Sequence, residues 1–153
     1  MNVLTTLRAL QPTAAPAEAE RSTSDATAST AVNGGPRVVL RLEGALVLAA
    51  GTLAYASLGA GWGLFALLFF TPDLTFLGYL AGPRVGAIAY NAGHSYLGPA
   101  LLAGLGFAFG APLLLSIAAI WVAHVGFDRM LGYGLKYASA FGHTHLGRVG
   151  KGA

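Results

Sequence analysis

From Val38 to Phe127 apolar residues follow one another with few breaks. The acids and bases inside that stretch are Arg41, Glu43, Asp73 and Arg84, with Asp128 and Arg129 just past its end. A soluble domain needs a charged shell, and this stretch offers none, so its solvent is lipid. The pattern predicts four helical spans. The first runs over about 38–57, the length a helix needs to cross hydrocarbon. The second covers 62–80, with Pro72-Asp73 in its interior, where proline removes a backbone donor and bends the helix. The third covers 84–109 and is broken in character by Pro99. The fourth starts at Pro112, a residue suited to a first helical turn, and continues to Asp128 or as far as Leu135. The connections, 58–61, 81–83 and 110–111, are so short that consecutive helices are antiparallel neighbours.

The ends of the chain differ in kind. Residues 11–30 are nearly all Ala, Thr, Ser, Pro and Glu, and such a segment cannot repay its ordering entropy. A disordered tail is therefore expected over 1–36, a transmembrane domain over 37–137, and a short basic tail over 138–153. Met1 to Leu10 lacks the uninterrupted apolar core of a signal peptide. Composition agrees: 55% of residues are hydrophobic and only 10% charged, with a mean hydropathy of +0.62. Soluble domains carry about 25% charged residues. The fold class is all-α, a polytopic membrane bundle of about four helices.

The nine bases, Arg8, Arg21, Arg37, Arg41, Arg84, Arg129, Lys136, Arg148 and Lys151, all fall on one side of a four-span topology. The positive-inside rule makes that side cytoplasmic. An inner-membrane location with both termini inside follows as the expectation. The net charge of +3 does not point to nucleic acid, because the bases flank the membrane and are not gathered with aromatics into a stripe. The absence of cysteine excludes disulfides and thiolate metal sites. No Gly-rich phosphate cradle and no G-x-S-x-G nucleophile elbow is present. Spacings such as Gly78/Gly82/Gly86 and Gly106/Gly110 put small residues on one helix face, suited to close packing within the bundle or to a homo-oligomer. Tyr79, Tyr90, Tyr96, Tyr133, Tyr137 and Trp62 include candidates for an interfacial belt.

The surviving polar residues carry the candidate chemistry. At the rise of an α-helix, Asp73 lies about 10 Å inside the cytoplasmic boundary, Asn91 at a similar depth and His94 about 15 Å in. His124 and Asp128 are four residues apart and share a helix face. A carboxylate in hydrocarbon must be paired, protonated or bound to metal. Three arginines, Arg41, Arg84 and Arg129, are available to pair with Glu43, Asp73 and Asp128, and an ion-pair network gluing helix ends is one reading. The other is that Asp73, His94, His124 and Asp128 converge as ligands of zinc or another divalent cation. Glu43, Arg84, Asn91, Ser95 and Arg129 would support that centre, with Asn91 and Arg84 orienting water or a phosphate. His143 and His145 alternate on the C-terminal tail, where they suit a surface metal pair or no role, the second being the favoured reading.

The strings PDLTFLGYLAGPRVGAIAYNAGH and HVGFDRMLGYGLK resemble a family of small bacterial integral membrane proteins catalogued as a domain of unknown function, over about Leu42 to Lys151. The resemblance implies a membrane location and about four helices, and no activity. More distantly, Pro72-Asp73, His94-Ser95 and His124/Asp128 are similar in order to inner-membrane metal-dependent hydrolases. Those proteins carry a further histidine shortly before the His-Ser pair, where this chain has Ala89 and Asn91, which implies one metal or a decayed site. The sequence thus offers a metal-dependent hydrolase at the inner leaflet. The alternative is a non-catalytic membrane component: a proton or ion relay, a transporter subunit or a packing partner.

Overall fold

The computed structural model describes Val32, residues 34–139 and residues 142–148. The expected disordered tail falls almost wholly outside these residues. Helix α1 is Gly35–Ser57, and α2 is the short Trp62–Leu68. A 3-10 helix, Thr71–Ala81, continues α2 after a turn at Phe69 and Phe70. Then come α3, Pro83–Gly93, α4, Leu97–Ala108, and α5, Pro112–Leu131. A small hairpin of β1, His143–Thr144, and β2, Gly147–Arg148, closes the described chain. Proline occupies the first or second position of α1, the 3-10 helix, α3 and α5. Its missing N–H has no partner there in any helix, so it starts helices at no cost in hydrogen bonds.

Three passages are long and apolar enough to cross a membrane: Gly35–Ser57, Trp62–Ala81 and Pro112–Leu131. The third expected span is two helices, α3 and α4, each too short to cross alone. The break falls at His94, Ser95 and Tyr96, not at Pro99. Proline at the third position of α4 sits within the first helical turn, where it interrupts no ladder. What ends α3 is the turn that carries His94.

Helix α1 packs along α5, the 3-10 helix along α3, and α4 along α5. The α1–α5 seam is a backbone-to-backbone approach: a Cβ on Gly126 would stand 2.5 Å from the Leu48 nitrogen. Gly78 and Gly86 are likewise used inside the fold, against Ala89 and Tyr79. Gly82 and Gly110 serve as turn residues, with φ of 109° and 60°, so the glycines of the expected face stripe are divided between packing and turns.

Helix α5 ends on Gly132, φ 94° and ψ 11°. Tyr133 N donates to Asp128 O at 2.8 Å and Gly132 N to Arg129 O at 3.0 Å. This paired closure needs the left-handed conformation that glycine adopts freely. It reverses the chain one turn after Asp128. Asn91 then clamps the returning strand, accepting from Lys136 N at 2.7 Å and donating to Lys136 O at 2.9 Å. Residues 142–148, within the expected short basic tail, fold back on the end of the α5 segment, with Lys136 bridged to Thr144.

Candidate metal centre

The 3-10 helix decides where Asp73 lies. Its rise of about 2.0 Å per residue, against about 1.5 Å in an α-helix, lifts Asp73 from about 10 Å to about 14 Å above Leu80. That is level with His94. Gly93 permits the lateral approach, since a Cβ there would meet Thr75 Cγ2 at 2.7 Å and the Pro72 carbonyl at 3.3 Å. Helix α5 brings His124 and Asp128 to the same point from the other side.

One ligand atom from each of Asp73, His94, His124 and Asp128 lies within 4.8 Å of all the others. His94 Nε2 is 3.2 Å from Asp73 Oδ1 and 3.4 Å from Asp128 Oδ2. His124 Nε2 is 3.2 Å from His94 Nε2 and 3.6 Å from Asp73 Oδ1. His94, His124 and Asp128 are buried, at 0%, 1% and 7% exposure, whereas the Asp73 side chain is 36% exposed.

Proton positions sharpen this geometry. His94 Nδ1 lies 2.9 Å from the Tyr90 carbonyl. A carbonyl has no proton to give, so Nδ1 carries one and donates it. A neutral His94 therefore points the lone pair of Nε2 at two carboxylate oxygens and a second imidazole nitrogen. Beside the two carboxylate oxygens, this close approach repels unless a proton, as on His124 Nε2, or a cation stands among the four atoms. His124 Nδ1 is buried and meets the Phe69 backbone without a hydrogen bond of normal geometry.

The chain belongs to the family described as a domain of unknown function (DUF4260), whose model matches residues 37–149. Everything in the centre and in its C-terminal return lies inside that match. The family assigns no activity. No curated protein and no solved structure matches the chain.

Around these four side chains the DUF4260 domain builds a supporting shell. Tyr90 donates its hydroxyl to Asp128 Oδ2 at 3.1 Å. Trp121 Nε1 donates to Gly93 O at 2.6 Å, and Arg129 donates to His94 O at 3.0 Å and to Tyr133 O at 2.8 Å. These bonds hold the turn at 94–96. Phe69 meets the His124 ring edge-on, with centroids 5.4 Å apart. The centre opens to a cavity of about 350 Å³ lined by Asp73, Asp128, Phe76, Tyr90, Phe127 and Lys136 among others.

Other expected positions stay apart from the centre. Glu43 and Arg84 are exposed, on α1 and at the start of α3. Neither forms an ion pair among the described residues, where every such pair joins a histidine to Asp73 or Asp128. The arginine network therefore does not form: Arg41 donates to Met130 O at 2.8 Å, and Arg129 serves carbonyls. At helix ends, backbone carbonyls left without amide partners compete for guanidinium donors. Asn91 acts on Lys136, and Ser95 lies half-buried in the turn. Tyr90 and Lys136 were not expected at the site. The four-residue spacing of Tyr90 and His94 was the available signal for the first. His143 and His145 work within the return: His143 Nδ1 pairs with Ser139 at 3.1 Å, and His145 Nδ1 accepts from Leu135 N at 2.8 Å.

Proposed function

We propose that the chain is an inner-membrane protein that binds one divalent cation, zinc being the best fit, and uses it to hydrolyse an ester or phosphoester at the inner leaflet. The observation that carries the reading is the spacing of the ligand atoms. Metal–ligand bonds of about 2.0–2.1 Å put tetrahedral ligands about 3.3–3.4 Å apart; four of the six separations are 3.2, 3.2, 3.4 and 3.6 Å, and all lie within 4.8 Å. A mixed histidine and carboxylate set suits a borderline cation. The order Pro-Asp, His-Ser, His-x-x-x-Asp is distantly similar to that of the membrane metal-dependent hydrolases described above, with Ala89 and Asn91 where those carry a further histidine.

Three ligands are buried and the fourth stands at the cavity, an arrangement that suits an exchangeable position better than a sealed structural site. A divalent ion held by Asp73, His94, His124 and Asp128 would supply Lewis acidity there, the chemistry that makes water a nucleophile near pH 7. In the overall reaction a water oxygen adds to the carbonyl carbon or phosphorus, the ester C–O or P–O bond breaks, and the alcohol leaves with the water's proton. Tyr90 and Arg129 hold Asp128 and the His94 turn in place throughout. The nine bases support a cytoplasmic placement of this end of the bundle.

Elemental analysis of detergent-purified protein tests the reading. One divalent ion per chain is expected, and none in His94→Ala. Metal-free wild type, together with a His94→Ala variant of unchanged stability, would remove it. The 3.2 Å approach of the two imidazole nitrogens favours one rival, a cluster that shares protons. A proton relay would titrate in this membrane without binding any ion, so the same analysis separates the two.

A further inference from the structure

Helix α1 carries two arginines near its start, and the fold brings both to one place. Arg37 and Arg41 are four residues apart, so they share a face of the helix. A Cβ on Gly132 would stand 3.6 Å from Arg37 Nη2 and 3.9 Å from Arg41 Nε. The two guanidinium groups are therefore neighbours over the glycine that ends α5. Arg37 also lies against the hairpin: a Cβ on Gly147 would meet its Cζ, Nη1 and Nη2 at 3.3, 3.4 and 3.6 Å. Distances so nearly equal put that glycine over the flat face of the guanidinium. The N–H donors of Nη1 and Nη2 lie in the plane of the group, so they point past Gly147 and not at it.

No acid answers these two charges among the described residues, where every ion pair joins a histidine to Asp73 or Asp128. Arg37 Nε is buried without a hydrogen-bond partner. Arg41 gives Nε to the Met130 carbonyl at 2.8 Å, on an exposed side chain. Glu43, two residues beyond Arg41, projects from another side of α1. The start of α1 has no side-chain cap and no acid in its first turn, so its positive end adds to the cations. Two like charges held side by side, one with a buried N–H unspent, call for an anion shared between them.

The surroundings define that anion. Helix α1 is long and apolar enough to cross a membrane. Arg41 stands about 9 Å along the axis from Gly35, and helical side chains lean toward the N-terminus. Both guanidinium groups thus reach the level where hydrocarbon gives way to headgroups. We propose that Arg37 and Arg41 form a binding site for the phosphate of an anionic phospholipid headgroup, at the junction of α1, the end of α5 and the hairpin. Planar guanidinium forks match phosphate oxygens two donors at a time. The site lies apart from the Asp73, His94, His124 and Asp128 cluster, so it stands whether or not that cluster takes a metal.

The test titrates full-length protein in non-ionic detergent with phosphatidylglycerol or phosphatidylcholine of the same chains. Native mass spectrometry reads the affinity of the first bound lipid. Phosphatidylglycerol is expected to bind at least about tenfold tighter, the worth of two bases at an anionic headgroup. Arg37→Gln and Arg41→Gln should each lose about fivefold of that preference, whereas Arg84→Gln, at an exposed base elsewhere in the fold, should keep it. Equal affinity for the two lipids overturns the proposal. An equal loss in Arg84→Gln overturns it too, since the attraction would then belong to the net charge. If the arginines only fasten the hairpin, their variants melt lower yet keep the preference for phosphatidylglycerol, which also overturns it. Displacement of the lipid by an equal concentration of inorganic phosphate would move the site to a soluble anion and overturn the headgroup assignment. Should Arg37→Gln fail to fold, the two-lipid comparison on wild type and Arg41→Gln decides alone.

Discussion

The Tyr90 ring lies nearly flat on the imidazole of His94, with centroids 3.8 Å apart and planes 14° apart, while its hydroxyl donates to Asp128 at 3.1 Å. One side chain therefore orients two of the four candidate ligands, one in the turn after α3 and one on α5. The two effects separate in mutants. Tyr90→Phe keeps the stack and removes the bond to Asp128. Loss of a hydrogen bond that orients a ligand typically costs about 10–100-fold in metal affinity, and zinc competition should show a loss in that range. The same variant should unfold within about 1–2 kcal/mol of wild type, the usual worth of one hydrogen bond. Unchanged zinc affinity in Tyr90→Phe would mean that Asp128 is not a ligand.

The two carboxylates differ in burial, and their variants should differ in kind. Asp128 is 7% exposed and sits between two histidines and Tyr90. Asp73 faces the cavity. Asp128→Asn should purify without metal. Asp73→Asn should retain metal on the three buried ligands, with weaker binding, and lose most hydrolysis of a phosphodiester reporter. Elemental analysis and turnover, measured on the same preparations, check both statements. Equal metal loss in the two variants would contradict the distinction between buried and accessible ligands.

Much of this centre was legible in the sequence because lipid makes polar residues conspicuous. Asp73, His94, His124 and Asp128 stand out in an apolar stretch, and their depths follow from helix rise and short connections. The arginines misled for the opposite reason: near a helix end a guanidinium has carbonyls to serve, so matching charge numbers do not predict pairing. The 3-10 geometry of Thr71–Ala81 was hidden as well, because an apolar pattern in lipid carries no face periodicity to separate 3-10 from α. Proline at 72 marks an interruption but not the conformation that follows. Lys136 was placed by a turn at Gly132 and a clamp from Asn91, two contacts made after the span ends, which no spacing in the chain records.

Gly93 offers a test of the approach that lifts Asp73 to His94. Thr75 cannot easily give way there, because its hydroxyl is bonded to the Pro72 carbonyl at 2.6 Å. A methyl group at position 93 would meet Thr75 Cγ2 at 2.7 Å and must push the 3-10 helix from α3. Gly93→Ala gains the helix propensity of alanine, up to about 1 kcal/mol. Overpacking of about 1–3 kcal/mol opposes it, so the net effect is a loss. The variant should melt lower and bind zinc more weakly than wild type. Gly104→Ala, at a glycine with open space around it, is the matched control and should melt no lower.

The return of the chain after α5 should loosen in acid, and His145 sets the direction. Burial, helped by the charge of Arg129, holds its imidazole below the ordinary value near 6.5, while the Leu135 carbonyl pulls weakly the other way. The bond from Leu135 N to Nδ1 at 2.8 Å can be accepted only by an unprotonated nitrogen. The unfolded hairpin therefore takes up a proton near the ordinary pKa, and the folded hairpin resists until lower pH. Since the unfolded form binds more protons in that window, stability rises with pH there. It is complete above the unfolded value and is lost as the pH falls below it. Hydrogen exchange at the Leu135 and Lys136 amides, corrected for intrinsic rates, should show protection falling between about pH 7 and about pH 5. His145→Ala should start with lower protection and show no such slope. A wild-type slope that survives in His145→Ala would place the titrating group elsewhere.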